Sequence, residues 1–145
     1  MTLYYEDVPA DDSDVPQLPP LLTAVAVPSG QNVHHKAIAL AASSEVGTVF
    51  YSEAVDRMHI AVVLGPEVAV ADASQMLFAM MIGIGDAIGA LAPPEVALSY
   101  QMPGYILLNK GRAGVVRMAV DPAAGADSVP CLLYTSDAAD ELSCV

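Results

Sequence analysis

A long apolar helical pattern lying between two groups of β-forming segments sets the strongest limit on how this chain can fold. From about Val70 to Leu91, apolar side chains recur at helical spacing, and Met76, Met80 and Ile84 share one face. Pro93-Pro94 ends the pattern, because proline cannot continue a helix. Gly83, Gly85 and Gly89 each cost such a helix about 1 kcal/mol relative to alanine, so we expect them to permit close approach to a sheet.

The remaining segments indicate one earlier helix and several strands. Asn32 can cap a helix over Val33–Ser44, and β-forming residues make up five segments: Thr48–Tyr51, His59–Leu64, Val96–Tyr100, Tyr105–Leu108 and Gly114–Ala119. The short loop after Tyr51 predicts an antiparallel pair, and Asn109-Lys110-Gly111 predicts a hairpin turn. The order therefore predicts an α+β fold in which helices pack on one face of a largely antiparallel, mixed sheet.

The acidic residues lie mainly at the two ends of the chain. The sequence has 17 acidic and 5 basic residues and a net charge of −12, but residues 15–120 carry only −2 of it. This balance argues against binding to nucleic acid or to anionic membranes, whose phosphates need basic partners. Asp86 and Pro93 interrupt the apolar run before it becomes a convincing membrane span, and no secretory signal is visible, so we expect a cytoplasmic protein.

Composition divides the chain into three parts. Residues 1–20 read as a disordered, acidic, Pro-rich arm, residues 21–120 as the folded domain, and residues 121–145 as an unstructured tail. Within the tail, Cys131–Glu141 resembles the translation of a transposase-based sequencing adapter. We therefore expect residues 131–145 to be an artefact of a truncated, metagenomic-type gene that continues beyond Pro130. Both cysteines, Cys131 and Cys144, fall in this part, so neither supports a redox or metal site.

Common catalytic patterns are missing from the sequence. The adjacent His34-His35 pair and the distant His59 lack metal-ligand spacing, so we predict no protein metal site. No nucleophile elbow, P-loop or Rossmann fingerprint occurs either.

The most informative pattern lies between Pro93 and Val120. A strand leads into Gln101-Met102-Pro103-Gly104, an apolar strand ends in Asn109, and a turn leads to Ala113-Gly114-Val115. This order resembles the core of the biotin/lipoate protein ligases, in which a Lys-Trp-Pro-Asn-Asp motif precedes an apolar strand, a lysine-containing turn and an Ala-Gly step. The resemblance covers about residues 20–120 and is closest to a divergent bacterial ligase-like branch.

The resemblance implies a two-step reaction and a set of site residues. ATP, with Mg²⁺ as a possible companion, and biotin or lipoate would form an acyl-adenylate, and the acyl group would pass to a lysine of an acceptor protein. Lys110 and Arg112 are the candidates for catalysis. The candidates for substrate or cofactor binding come from the loop between the first two strands and from the motif region: Arg57, Gln101, Pro103, Gly104, Asn109 and Gly114.

Several motif positions differ from those of the ligases. Gln101 stands in place of the motif lysine, and the loop Ser52–Arg57 contains a single arginine. Loss of one charged contact in a catalytic site can cost about 10²–10³ in rate, so we expect an impaired or inactive ligase. Two alternatives stay open: a non-catalytic domain that binds an acyl cofactor, and a purely structural domain. For Lys110 and Arg112 the competing interpretation is a solvated hairpin turn.

Overall fold

One seven-stranded sheet organises the molecule. The computed structural model describes residues 15–54, 57–65, 69–120 and 131–137. The elements in chain order are β1 (Thr23–Val27), α1 (Val33–Leu40), β2 (Thr48–Ser52), β3 (Ile60–Leu64), α2 (Val70–Ala73), α3 (Gln75–Leu91), β4 (Leu98–Gln101), β5 (Tyr105–Leu108), β6 (Gly111–Val120) and β7 (Cys131–Asp137). A short 3₁₀ helix, Ala41–Ser43, follows α1.

The strands lie in the order β1-β2-β3-β7-β6-β5-β4. In the described ranges, β1 and β2 run parallel, whereas the other neighbouring strands run antiparallel. The α+β class and the largely antiparallel, mixed sheet are therefore confirmed. The strand β1, which lies within an apolar run before the first turn signal, adds the parallel edge.

Local sequence signals explain two of the connections. The side chain of Asn32 accepts a hydrogen bond from the His35 amide at 3.0 Å and so caps α1. Between β5 and β6, Asn109 and Lys110 both have positive φ values, 50° and 68°, while Leu108 pairs with Gly111. These features define a tight two-residue turn whose twist matches that of the strands, so the predicted hairpin is confirmed.

The two long helices cover opposite faces of the sheet. Helix α1 packs in a cluster with Phe50, to which Ala119 of β6 also belongs, whereas α3 packs against Ile106 and Val116. Successive strand residues point to opposite faces, and residues 114–120 pair with β7 in unbroken register, so Ala119 and Val116 face opposite ways. The expectation that both helices share one face is wrong. Because β6 is buried on both sides, each of its faces needs a cover.

The C-terminal segment contributes a strand at the centre of the sheet. Residues 131–137 form β7, which pairs with β3 on one side and with β6 on the other. For these residues the prediction of an unstructured tail is wrong, because a β-forming run fills the gap between two otherwise unpaired strand edges. Residues 121–130 and 138–145 lie outside the described ranges, as do residues 1–14 of the predicted arm. The origin of the adapter-like segment stays a prediction.

Helix α3 has an apolar composition that suits a place against the sheet. In the described part of the chain, Ala71–Leu91 is long and apolar enough to cross a membrane. One such segment is weak evidence for a span, because the core helix of a soluble domain has the same length and composition. Here one side of α3, with Met81, Ile84 and Gly85, is buried against the sheet.

The glycines of α3 do not all act as the sequence predicted. At Gly85 an added Cβ would lie 2.9 Å from Cζ of Tyr100, so only a glycine lets this ring approach. At Gly83 and Gly89 an added Cβ would meet nothing within 4 Å, so the expectation of close approach is wrong there. The tightest backbone contact is at Gly104, where a Cβ would strike the Val116 carbonyl oxygen.

We predict that Gly104→Ala lowers the free energy of unfolding by about 1–3 kcal/mol, because two strand backbones must move apart. The matched change Gly89→Ala, in an exposed helical position, should raise it by about 0.5–1 kcal/mol. Urea unfolding followed by circular dichroism measures both. An unchanged midpoint for Gly104→Ala would show that this close approach is not formed.

Candidate anion-binding site

A strip of residues crosses the α1-covered face of the sheet at one end. Gln101 pairs with Tyr105, and Tyr105 pairs with Val115, so all three point to this face. Beyond β7, Ser52 of β2 lies beside His59, which precedes β3, and the Ser52 amide donates a hydrogen bond to the His59 carbonyl at 3.0 Å. This pair continues the strip. Because β1 leads from this end into the loop before α1, the N-terminus of α1 stands beside the strip.

A polar cavity of about 350 Å³ lies at this end. It is enclosed by the β1–α1 loop and the β2–β3 loop, and its lining consists of Ser29, Gly30, Gln31, Asn32, Ser52, Ala54, Arg57 and His59. The N-terminus of a helix carries unpaired amide donors and a partial positive charge, which favours anions. The cavity therefore combines a helix N-terminus with the Arg57 guanidinium, a set of groups suited to phosphate or carboxylate.

A β-bulge brings Arg112 to the same face. Gly114 pairs with Ile106, but Arg112 pairs with Leu107, so the register shifts by one residue between them. In a regular strand Arg112 and Gly114 would point the same way, whereas the extra residue turns Arg112 towards the face of Tyr105. Its guanidinium carbon lies 4.2 Å from the centre of the Tyr105 ring. Such a cation–π contact is worth about 0.5–1 kcal/mol at an exposed site.

Arg117 is a third cation on this face, and it is absent from the site residues predicted from the sequence. Because side chains alternate along a strand, Arg117 stands on the same face as Val115 and Ala119 and points towards α1. Burial lowers the pKa of His34, and the charges of His35 and Arg117 lower it further, which places Arg117 near the start of α1. One signal in the sequence could have identified it: Arg117 is the single charged residue within the predicted strand Gly114–Ala119. All three arginines of the sequence thus face the α1-covered side or line its cavity.

The hairpin tip separates two of the predicted residues from this face. The Asn109 side chain accepts a hydrogen bond from the Ala97 amide at 2.9 Å, and the Asn109 amide donates to the Ala97 carbonyl at 2.8 Å. Asn109 therefore holds the start of β4 against the turn. Lys110 is exposed at the turn itself, which agrees with the solvated-turn interpretation for this residue.

The other predicted residues lie on a different side of the sheet. Pro103 and Gly104 line a second cavity of about 420 Å³, which also includes Ser74 and Leu77 at the start of α3. Gly104 accepts a hydrogen bond from the Val116 amide at 2.8 Å. Gly114 shares its face with Ile106, on the α3 side. The structure thus brings Arg57, Gln101 and Arg112 to one end of one face and leaves Pro103, Gly104 and Gly114 outside it.

No cluster of three or more His, Cys, Asp or Glu side chains that could hold a metal ion occurs among the residues described.

Comparison with known proteins relates this chain and its fold to one family. Residues 18–137 match the sequence model of the biotin/lipoate A/B protein ligase family. A biotin protein ligase-like protein of unknown function from Silicibacter sp. TM1040 superposes with a TM-score of 0.73 at 36% identity, covering 83% of this chain and 53% of that chain. No curated protein matches the chain.

A more distant solved structure shares the fold alone. It is the biotin acetyl coenzyme A carboxylase synthetase from Helicobacter pylori with bound biotinylated ATP, at a TM-score of 0.50 and 8% identity, covering 79% of this chain and 59% of that chain. The chain spans just over half the length of these two solved proteins.

The depressed pKa of His34 leads to a prediction about stability. Because the folded state disfavours protonation of His34, its contribution to stability is complete above the unfolded pKa near 6.5 and is lost as the pH falls below it. We therefore expect the free energy of unfolding to fall between about pH 7.5 and about pH 5.5, and His34→Asn to reduce this fall. Urea titrations at both pH values measure it.

The exposed neighbour provides the control for this experiment. His35→Asn should leave a larger part of the pH dependence than His34→Asn, because His35 is not buried against the sheet. Equal pH dependence in wild type and His34→Asn would contradict the placement of this ring.

Proposed function

The chain belongs to the biotin/lipoate A/B protein ligase family, and we propose that it activates a carboxylic acid with ATP. In the first step a carboxylate oxygen attacks the α-phosphorus of ATP, and pyrophosphate leaves. In the second step the amine of an acceptor lysine attacks the acyl carbon of the adenylate, and AMP leaves. The first step brings a carboxylate and the polyanion ATP together, so it requires fixed positive charge. In the second step a neutral amine attacks, and AMP leaves as an anion.

The observation that carries this proposal is that all three arginines lie on the α1-covered face of the sheet or in the cavity at its end. Arg57 stands in the polar cavity beside the N-terminus of α1, Arg112 lies over Tyr105, and Arg117 faces the start of α1. In this proposal the amide groups at the helix start and Arg57 bind phosphate oxygens. Arg112 and Arg117 balance the negative charge of the reacting carboxylate and of the pyrophosphate that leaves.

The partners of the reaction follow from the family. The Helicobacter pylori structure holds biotinylated ATP, which supports ATP and biotin as ligands, and lipoate is the second acid that the family name includes. Mg²⁺ would accompany the phosphate groups, because it commonly binds through substrate phosphates and few protein oxygens. The acceptor would be a biotinyl or lipoyl domain, and the cytoplasm, where ATP is abundant, would be the place of the reaction.

A second function is supported by Gln101. This neutral side chain occupies the position of the motif lysine and lies in the strip that crosses the site. A domain that keeps the cavity but lacks this charge could bind the acid without adenylating it. In that case the protein would be a cofactor-binding module of the same fold.

We predict acid-dependent exchange of labelled pyrophosphate into ATP in the presence of biotin or lipoate. Arg57→Gln should lower the exchange rate by about 10²-fold, because a charged contact to phosphate is lost. Asp86→Asn, on α3 and on the opposite side of the sheet, should leave the rate within about 2-fold of wild type.

The outcome separates the alternatives. No exchange together with saturable binding of either acid would replace the ligase proposal by the binding module. Absence of both exchange and binding would leave a structural domain.

A further inference from the structure

We propose that Arg112 supplies, from β6, the positive charge that β4 lacks at Gln101, and that Tyr105 is the positioning residue that keeps it there. The proposal rests on the proposed function, since it concerns the anion that this site would bind. It assigns a role to the bulge in β6 and to Tyr105, the aromatic residue that follows Gln101-Met102-Pro103-Gly104.

The register places the three residues side by side. Gln101 is the last residue of β4, and it pairs directly with Tyr105 of β5. Neighbouring strands lie about 4.8 Å apart, and directly paired side chains stand on the same face. The Tyr105 ring is therefore the immediate neighbour of the Gln101 side chain on the α1-covered face.

The bulge accounts for the arrival of Arg112 at this place. Because Ala113 is the extra residue between the pairs Arg112–Leu107 and Gly114–Ile106, Arg112 faces the side of Tyr105 and Leu107. Its side chain then extends along β5 until the guanidinium carbon lies 4.2 Å from the ring centre. The guanidinium of Arg112 therefore lies one strand away from Gln101, above the ring of Tyr105, which pairs with Gln101.

The chemistry of the guanidinium suits this substitution. Arginine keeps its charge at any physiological pH and presents a planar set of donors that can hold two phosphate or carboxylate oxygens at once. Stacking on an aromatic face fixes the plane of a guanidinium, whereas a lysine would present a flexible point charge. A neutral Gln101 beside it can add a hydrogen bond without repelling the guanidinium.

The proposal is tested by removing the positive charge at position 112 and placing one at position 101. ATP affinity is measured by isothermal titration calorimetry, and pyrophosphate exchange is measured in parallel. Arg112→Gln should weaken ATP binding by about 10- to 100-fold, and Gln101→Lys in the Arg112→Gln background should recover at least about 10-fold of it. Lys36→Gln, which removes one exposed positive charge from α1, should change the affinity by less than about 2-fold.

The role of Tyr105 is tested by two further variants. Tyr105→Phe keeps the ring and should retain the wild-type affinity, whereas Tyr105→Leu should weaken ATP binding by about 2- to 5-fold. Circular dichroism melting curves show whether each variant folds, and Tyr105→Phe provides the ring-containing comparison at the same position. A purely structural role for Tyr105 would lower stability in Tyr105→Leu without changing the affinity of the folded protein.

The results distinguish this inference from the proposed function. ATP binding that depends on Arg112 and is restored by Gln101→Lys, without exchange, would support the inference and reject the ligase reaction. Equal losses in Arg112→Gln and Lys36→Gln, failure of Gln101→Lys to restore binding, or absence of ATP binding by the wild-type protein would overturn the inference.

Discussion

The alternation of side chains along β6 determines where the rest of the molecule lies. This strand is ten residues long and buried on both faces near its middle, so it needs a helix on each side. Val115 and every second residue after it face α1, whereas Val116 and every second residue after it face α3. A single bulge at Ala113 reverses this alternation for Arg112. One extra residue thus decides that the Arg112 cation lies on the α1-covered face of the sheet and not on the face that α3 covers.

The packing and the charge of the site are consequences of this arrangement. Helix α1 covers the apolar middle of its face, and its capped N-terminus stands at the end where the strip that contains Gln101 and Tyr105 crosses the sheet. Burial there lowers the pKa of His34, so at neutral pH this ring adds no positive charge and the arginines supply the fixed cations. The chain has few basic residues, yet all three arginines lie on the α1-covered face or in the cavity at its end.

Much of the fold could be predicted because its signals are local. The Asn32 cap, the Asn109-Lys110 turn and the apolar spacing of α3 each act within a few residues. The faces that the helices cover could not be predicted, because Val115 and Val116 are both buried and a continuous apolar run hides the alternation. The partners of β7 depend on contacts between residues distant in sequence, which no local pattern contains.

The residues of the candidate site also divide into those that could be predicted from the sequence and those that could not. Arg57, Gln101 and Arg112 were predicted from motif order, and the structure places them at one end of one face. Arg117 was missed because its role depends on which face of β6 it occupies, and Asn109 was assigned to binding although its side chain holds Ala97. Turn geometry and strand register, rather than residue type, separate the residues on the α1-covered face from those that lie elsewhere.

The central claim is that the three arginines form one anion-binding site. Nuclear magnetic resonance of arginine-labelled protein during a titration with ATP tests it most directly, because each guanidinium Nε–H gives its own signal. The account predicts that the signals of Arg57, Arg112 and Arg117 all shift and saturate with a common dissociation constant. Signals that stay unchanged, or that saturate with unrelated constants, would contradict it.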